Sequence, residues 1–125
     1  ILGADFVQRY RGRLINLHPS LLPRHKGLHT HRRALEAGDA EHGASVHFVV
    51  PALDAGAVIA QARLRIAPGD TPDTLARRLQ PLEHALLVRV MQLCVAGRVT
   101  ERDDRVWVDG HPRFTPLQLD SGAFA

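Results

Sequence analysis

An asparagine and a histidine two positions apart, Asn16 and His18, are residue types that could support catalysis. They stand at the end of a short apolar run that predicts a buried strand, and side chains two apart on a strand project to the same side. An amide donor beside an imidazole can stabilise negative charge on an oxygen atom and move a proton. By spacing alone, a buried pair satisfied by loop backbone is an equally good interpretation.

Asp54 is the candidate third member of this group. It lies in the segment Leu53-Asp54-Ala55-Gly56, in the loop between two predicted strands, where a carboxylate could approach His18. A carboxylate beside an imidazole favours the charged ring, which can then act as an acid near neutral pH. The spacing leaves open the alternative that this aspartate serves only a turn.

Six of the eight histidines fall between His18 and His47, a density that raises the hypothesis of a metal site. However, His29 and His31 do not share a helix face, and the chain contains no His-Glu-x-x-His motif. The single Cys94 lies on an apolar helical face, where a core role is the better interpretation. We therefore predict no metal, and we interpret the remaining histidines as surface or structural residues: His25, His42, His84 and His111.

The patterns of apolar and turn residues predict an α/β fold with a mixed sheet. Helices are expected over residues 4–11 and 30–37, with Thr30 as N-cap, and over a long segment that Thr71-Pro72 opens. In that segment apolar residues recur at steps of three or four, which predicts a stripe that faces the core: Leu75, Leu79, Leu82, Leu86, Val90 and Leu93. Strands are expected over 13–17, 45–50 and 58–66. After the long helix, a hairpin with a tight Asp109-Gly110 turn is expected.

Composition narrows the function classes. The 125 residues are 45% hydrophobic with a net charge of +3, which is typical of a globular domain. No apolar stretch is long enough to cross a bilayer, and a lone cysteine suits a reducing cytoplasm. Fifteen arginines are scattered singly or in pairs. Nucleic-acid binding, with an affinity that falls steeply with salt, is therefore the weaker alternative.

The segments around the three polar residues resemble the folate-dependent formyltransferase family. The run Asn16-x-His18-Pro19-Ser20-Leu21-Leu22-Pro23 is similar to the active-site run of that family. Three later segments are similar to the branch that formylates glycinamide ribonucleotide: Gly27-Leu28-His29-Thr30-His31-Arg32, Glu41-His42-Gly43-x-Ser45-Val46-His47-Phe48-Val49 and Leu53-Asp54-x-Gly56-x-Val58-Ile59. The resemblance implies a Rossmann-like fold with a mixed, mainly parallel sheet flanked by helices. Residues 1–114 would be its C-terminal catalytic portion, and 115–125 a loose tail.

The resemblance also implies an activity, the transfer of a formyl group from 10-formyltetrahydrofolate to the amine of N1-(5-phospho-D-ribosyl)glycinamide in purine biosynthesis. Asn16 would donate to the formyl oxygen, and His18 would supply a proton, with a bound water as relay. Asp54 would hold His18, supported by Ser45 and His47. The family's phosphate-binding loop precedes the matched region, so these 125 residues alone are expected to be inactive.

Binding positions follow from the same resemblance. Those for the folate are Ile1, Leu2, Asn16, Val50, Pro51, Ala52, Leu53 and Asp54. Those for the ribonucleotide are Gln80, Pro81, Leu82 and Glu83, with Glu83 as an acceptor for ribose hydroxyls. The expected partners are small molecules, without nucleic acid or membrane, in the cytoplasm. A related formyltransferase or a formyltetrahydrofolate hydrolase is the alternative enzyme.

Overall fold

The computed structural model describes residues 2–120 and 123–124. Three helices and three strands occupy residues 4–95, and short strands follow. In chain order the elements are α1 (Ala4–Arg9), β1 (Ile15–His18), α2 (Thr30–Glu36), β2 (Glu41–Phe48), β3 (Val58–Arg65), α3 (Pro72–Val95), β4 (Val99–Arg102), β5 (Arg105–Val108), β6 (His111–Pro112), β7 (Leu117–Asp120) and β8 (Ala123–Phe124).

The main sheet has the strand order β1-β2-β3-β7-β8. Only the pairing of β3 with β7 is parallel among these described strands, and the other three pairings are antiparallel. The predicted mixed sheet with flanking helices is confirmed, but the parallel share within this chain is smaller than expected. The reason is local, because the short loop over residues 49–57 returns the chain directly and makes β2 and β3 antiparallel.

The long helix α3 supplies most of the core that covers the sheet. Thr71 caps its N-terminus: the Thr74 N–H donates to Thr71 Oγ1 at 3.2 Å, and the Thr71 N–H donates to Thr74 Oγ1 at 2.8 Å. The helix continues through Pro81, which is exposed. Its predicted apolar stripe is confirmed, because the buried residues are Leu75, Leu79, Leu86, Val90 and Leu93.

The chain beyond residue 114 corrects one expectation. Instead of a loose tail, Leu117–Asp120 forms β7, which adds to the main sheet beside β3. The buried Leu117 and the half-buried Leu119 pack on the core, and Gln118 Nε2 donates to Gln61 Oε1 at 3.1 Å. The alternation of leucine with polar residues is that of a half-buried strand, whose stability comes from its partner.

A second, three-stranded sheet has the order β4-β5-β6. The predicted turn is confirmed, since Asp109 (φ 51°) and Gly110 (φ 81°) both adopt the positive φ that a tight hairpin turn requires. The sequence pattern did not predict β4, which joins β5 through Asp103 and Asp104, two residues that also have positive φ. No helix in the described ranges combines the length and apolarity needed to cross a membrane.

Candidate active site

The polar residues of interest meet where β1 ends against β2. In the antiparallel register Asn16 faces His47, and His18 faces Ser45. His18 is 6% exposed, whereas Asn16 is exposed. The strand therefore places one buried imidazole and one accessible amide on the same side of the sheet.

Both ring nitrogens of His18 face acceptors. Nε2 donates to the backbone carbonyl of His25 at 2.8 Å, and because a carbonyl can only accept, Nε2 must carry a hydrogen. Nδ1 lies 3.5 Å from Oδ2 of Asp54, a distance longer than a good hydrogen bond. Nδ1 is therefore the nitrogen through which His18 can exchange a proton.

Asp54 reaches His18 because its loop has a strained and tightly fitted backbone. Its φ is 49°, and its Oδ2 accepts a hydrogen bond from the Gly27 N–H at 2.9 Å. Its Oδ1 lies 3.7 Å from Nε2 of His47. Two residues later, a Cβ on Gly56 would lie 1.6 Å from the Phe48 carbonyl oxygen, so only glycine fits. The Leu53-Asp54-Ala55-Gly56 segment is thus shaped to turn the carboxylate inward.

His47 orients the amide of Asn16. Its Nδ1 donates to the Phe48 carbonyl at 2.9 Å, so the neutral ring has an acceptor at Nε2. That Nε2 lies 3.4 Å from Asn16 Nδ2, within reach of one amide hydrogen. The second amide hydrogen of Asn16 remains available to a ligand.

Ser45 forms hydrogen bonds to the loop that follows β1. Its Oγ donates to the Ser20 carbonyl at 2.8 Å and accepts from the Leu22 N–H at 3.0 Å and from Gln61 Nε2 at 3.1 Å. The contacts with Ser20 and Leu22 lie on the loop that follows β1, and a supporting role for Ser45 toward the Asp54 loop stays a prediction. Ser45 fixes the loop that follows β1, because its register partner is His18.

A cleft of about 480 Å³ opens beside this group, a volume typical of a small-molecule site. Seven of the eight residues predicted to contact the folate line it, and the eighth, Ile1, lies outside the described residues. The full lining is Leu2, Val7, Leu14, Ile15, Asn16, His47, Val49, Val50, Pro51, Ala52, Leu53 and Asp54.

The segment predicted to contact the ribonucleotide lies elsewhere, on α3. Within the described part of the chain, none of Gln80, Pro81, Leu82 or Glu83 lines the cleft. Leu82 packs against the core, and burial raises the pKa of Glu83. A binding role for these residues stays a prediction.

Other histidines extend the polar group, a feature that the sequence analysis missed. His25 Nε2 lies 2.7 Å from Asp39 Oδ2, and His31 Nδ1 lies 2.9 Å from Nε2 of the buried His42. Burial, followed by the proximity of His31, lowers the pKa of His42 to about 4. The density of histidines was the only sequence signal for these contacts.

Neither a metal cluster nor an activated thiol stands out as an alternative centre. Over residues 2–120 and 123–124, no group of three or more His, Cys, Asp or Glu side chains is placed to hold a metal ion. Cys94 is half-buried, and burial raises the pKa of its thiol. Its thiolate, the nucleophilic form, is therefore disfavoured.

Residues 1–91 match the formyl transferase family, and the chain belongs to it. It is 50% identical over 110 residues to the phosphoribosylglycinamide formyltransferase of Escherichia coli K12. The matched region covers 88% of this chain and 52% of that protein. The chain thus spans about half the length of this relative.

Solved structures agree with the sequence relatives. A phosphoribosylglycinamide formyltransferase from Coxiella burnetii superposes with a TM-score of 0.85 at 53% identity, over 90% of this chain and 53% of that one. A formyltetrahydrofolate deformylase from Pseudomonas syringae pv. tomato gives a TM-score of 0.82 at 30% identity, over 86% and 36% of the two chains. The fold is therefore shared by formyl-transferring and formyl-hydrolysing enzymes.

Proposed function

We propose that this chain carries the chemical centre for transfer of a formyl group from 10-formyltetrahydrofolate to the amine of glycinamide ribonucleotide. The observation that carries the proposal is that Asn16 and Asp54 line one cleft while His18 Nδ1 lies 3.5 Å from Asp54 Oδ2, behind the cleft wall. The relatives at about half identity, from Escherichia coli and Coxiella burnetii, are named for this reaction.

Each of the three residues has a role that its contacts support. Asn16 keeps one amide hydrogen for the negative charge that develops on the formyl oxygen when the amine attacks. His18 exchanges a proton at Nδ1, since its Nε2 is bound to the His25 carbonyl. Asp54 stabilises the doubly protonated ring from 3.5 Å and can order a water molecule for the relay.

The cleft fits the formyl donor. Its aliphatic walls suit a flat ring system, and the backbone from Val50 to Leu53 offers polar groups at its rim. When bound there, 10-formyltetrahydrofolate supplies the one-carbon group. Asn16 stands among the lining residues, so the wall that holds the donor also presents the amide to the formyl oxygen.

The acceptor and the cellular setting are proposed on the same basis. We place the ribonucleotide against Gln80, Pro81, Leu82 and Glu83, with Glu83 accepting from ribose hydroxyls. The partners are small molecules, and the reaction takes place in the cytoplasm.

The test is an assay of the full-length gene product for consumption of 10-formyltetrahydrofolate, with and without glycinamide ribonucleotide. We expect consumption to require the ribonucleotide. His18→Ala should lower kcat by about 10²- to 10⁴-fold, while the exposed His111→Ala serves as control. Equal consumption without the acceptor would assign the site to formyl hydrolysis instead, as in the deformylase from Pseudomonas syringae.

A further inference from the structure

One short loop touches both His18 and Asp54. The His25 carbonyl accepts from His18 Nε2 at 2.8 Å, and the Gly27 N–H donates to Asp54 Oδ2 at 2.9 Å. Residues 25–27, here called the bridging loop, therefore hold both groups at once. Whatever fixes this loop also fixes the relative position of the imidazole and the carboxylate.

The bridging loop does not hold its shape by backbone preference. His25 has a φ of 53° and Gly27 a φ of 85°, both in the left-handed region. For a histidine this conformation costs roughly 1–2 kcal/mol, so contacts elsewhere must stabilise it. The strained residue is also the one whose carbonyl receives the His18 hydrogen.

One stabilising contact comes from Asp39, just beyond the end of α2, and Arg33 on α2 also donates to the Lys26 carbonyl. His25 Nε2 lies 2.7 Å from Oδ2 of Asp39, and a carboxylate can only accept, so His25 donates. Asp39 is itself fixed, since its N–H donates to the Ala34 carbonyl at 3.2 Å. Both side chains are largely buried, so the bond is shielded from water.

We infer that Asp39 and His25 are positioning residues for the proposed formyl transfer, on which this inference rests. Their bond holds the His25 carbonyl against His18 Nε2 and thereby keeps that nitrogen protonated. Nδ1 is then directed to Asp54 and the reacting atoms. Without the bond, His18 can rotate or carry its hydrogen on Nδ1, and the rate falls while substrate binding is unchanged.

Three variants separate this role from simple loss of stability. Asp39→Ala removes the acceptor, Asp39→Asn keeps a neutral acceptor oxygen for His25, and Glu36→Ala is an exposed control three residues earlier, at the end of α2. We expect Asp39→Ala to lower kcat by roughly 10- to 100-fold, with KM within about twofold. Asp39→Asn should restore most of the rate.

His25→Ala also removes the hydrogen bond between His25 and Asp39, because it deletes the side chain and keeps the backbone carbonyl. It should lower kcat as much as Asp39→Ala, and the double variant should be no slower than either single variant. Multiplicative losses in the double variant would overturn the inference, as would a rate for Asp39→Asn as low as that for Asp39→Ala.

The protonation pattern of His18 gives a readout that is independent of activity. Nitrogen-15 NMR of labelled histidines, assigned with His18→Gln, should show hydrogen on Nε2 in the wild type and a mixture of tautomers in Asp39→Ala. An unchanged His18 pattern in folded Asp39→Ala would refute the positioning role. A changed pattern in a protein with no formyl transfer would refute the proposed function and leave the positioning role intact.

Discussion

Two regions of the molecule differ in the side chains that they bury, polar in one and apolar in the other. The polar edge, formed by the end of β1 with residues 24–29 and 49–57, contains the buried His18 and the largely buried side chain of Asp54, and it has positive φ at His25, His29 and Asp54. The apolar core beneath α3 buries leucines and valines, and α3 has regular helical backbone from Pro72 to Val95. The residues that stabilise the fold are therefore largely different from the residues proposed to carry out the chemistry.

The contrast predicts how each region responds to mutation. A side chain in the polar edge is held by a few hydrogen bonds, each with a modest net effect on folding. A side chain in the apolar core contributes through burial and packing, where truncation leaves a cavity. Changes at the edge should therefore alter the rate more than the stability, and changes in the core the reverse.

Asn16→Ala is a change at the polar edge that we expect to alter the rate and to leave the fold intact. The amide is exposed, and its contact with His47 is long at 3.4 Å. Loss of a donor to the developing negative charge should lower kcat by about 10²- to 10³-fold. Steady-state kinetics and thermal unfolding of the same variant measure both effects. A large loss of stability would contradict the expectation that changes at the polar edge alter mainly the rate.

Leu86→Ala is the matching change in the apolar core. Leu86 is fully buried in α3, so truncation should lower the free energy of unfolding by about 2–5 kcal/mol. The rate per folded molecule should stay near that of the wild type. Urea unfolding gives the first quantity, with Val88→Ala (38% exposed) as the matched control. Equal destabilisation by both variants would contradict the assignment of the core.

Acid should weaken the polar part of the fold through His42, which is 1% exposed. Burial lowers its pKa to about 4 in the folded protein, from an ordinary value of 6.5. The unfolded chain therefore binds more protons between these values. The stability is fully present above pH 6.5 and is lost as the pH falls toward 4, by up to about 3 kcal/mol.

Urea unfolding at pH 7.5 and at pH 4.5 measures this loss. His31, which contacts His42, should increase this loss of stability, because burial lowers the pKa of His31 as well. In His42→Asn, whose amide does not titrate, the pH dependence over this window should be smaller. An identical pH dependence in the wild type and the variant would show that the histidine pair does not control acid stability.

Local patterns made much of this architecture predictable. Asn16 and His18 stand at a strand end, Asp54 lies in a glycine-flanked loop, and the stripe of α3 repeats every three or four residues. These signals need no knowledge of distant contacts. The Asp109-Gly110 turn was predictable for the same reason, because its conformation depends on its own two residues.

Features that depend on distant contacts were not predictable. The N-cap of α2 is His29 in the left-handed conformation rather than Thr30, which is the first helical residue. The contact of His25 with Asp39 depends on strained backbone at His25. The four-residue β7 was missed because it gains its order from β3, far along the chain.

The central claim is that His18 and Asp54 act as one unit beside the cleft. A double-mutant cycle on the full-length gene product tests it most directly, with kcat measured for His18→Ala, Asp54→Asn and the pair. We expect each single variant to lose most of the rate and the double variant to be no slower than His18→Ala. Losses that multiply, or single variants with near-normal rates, would contradict it.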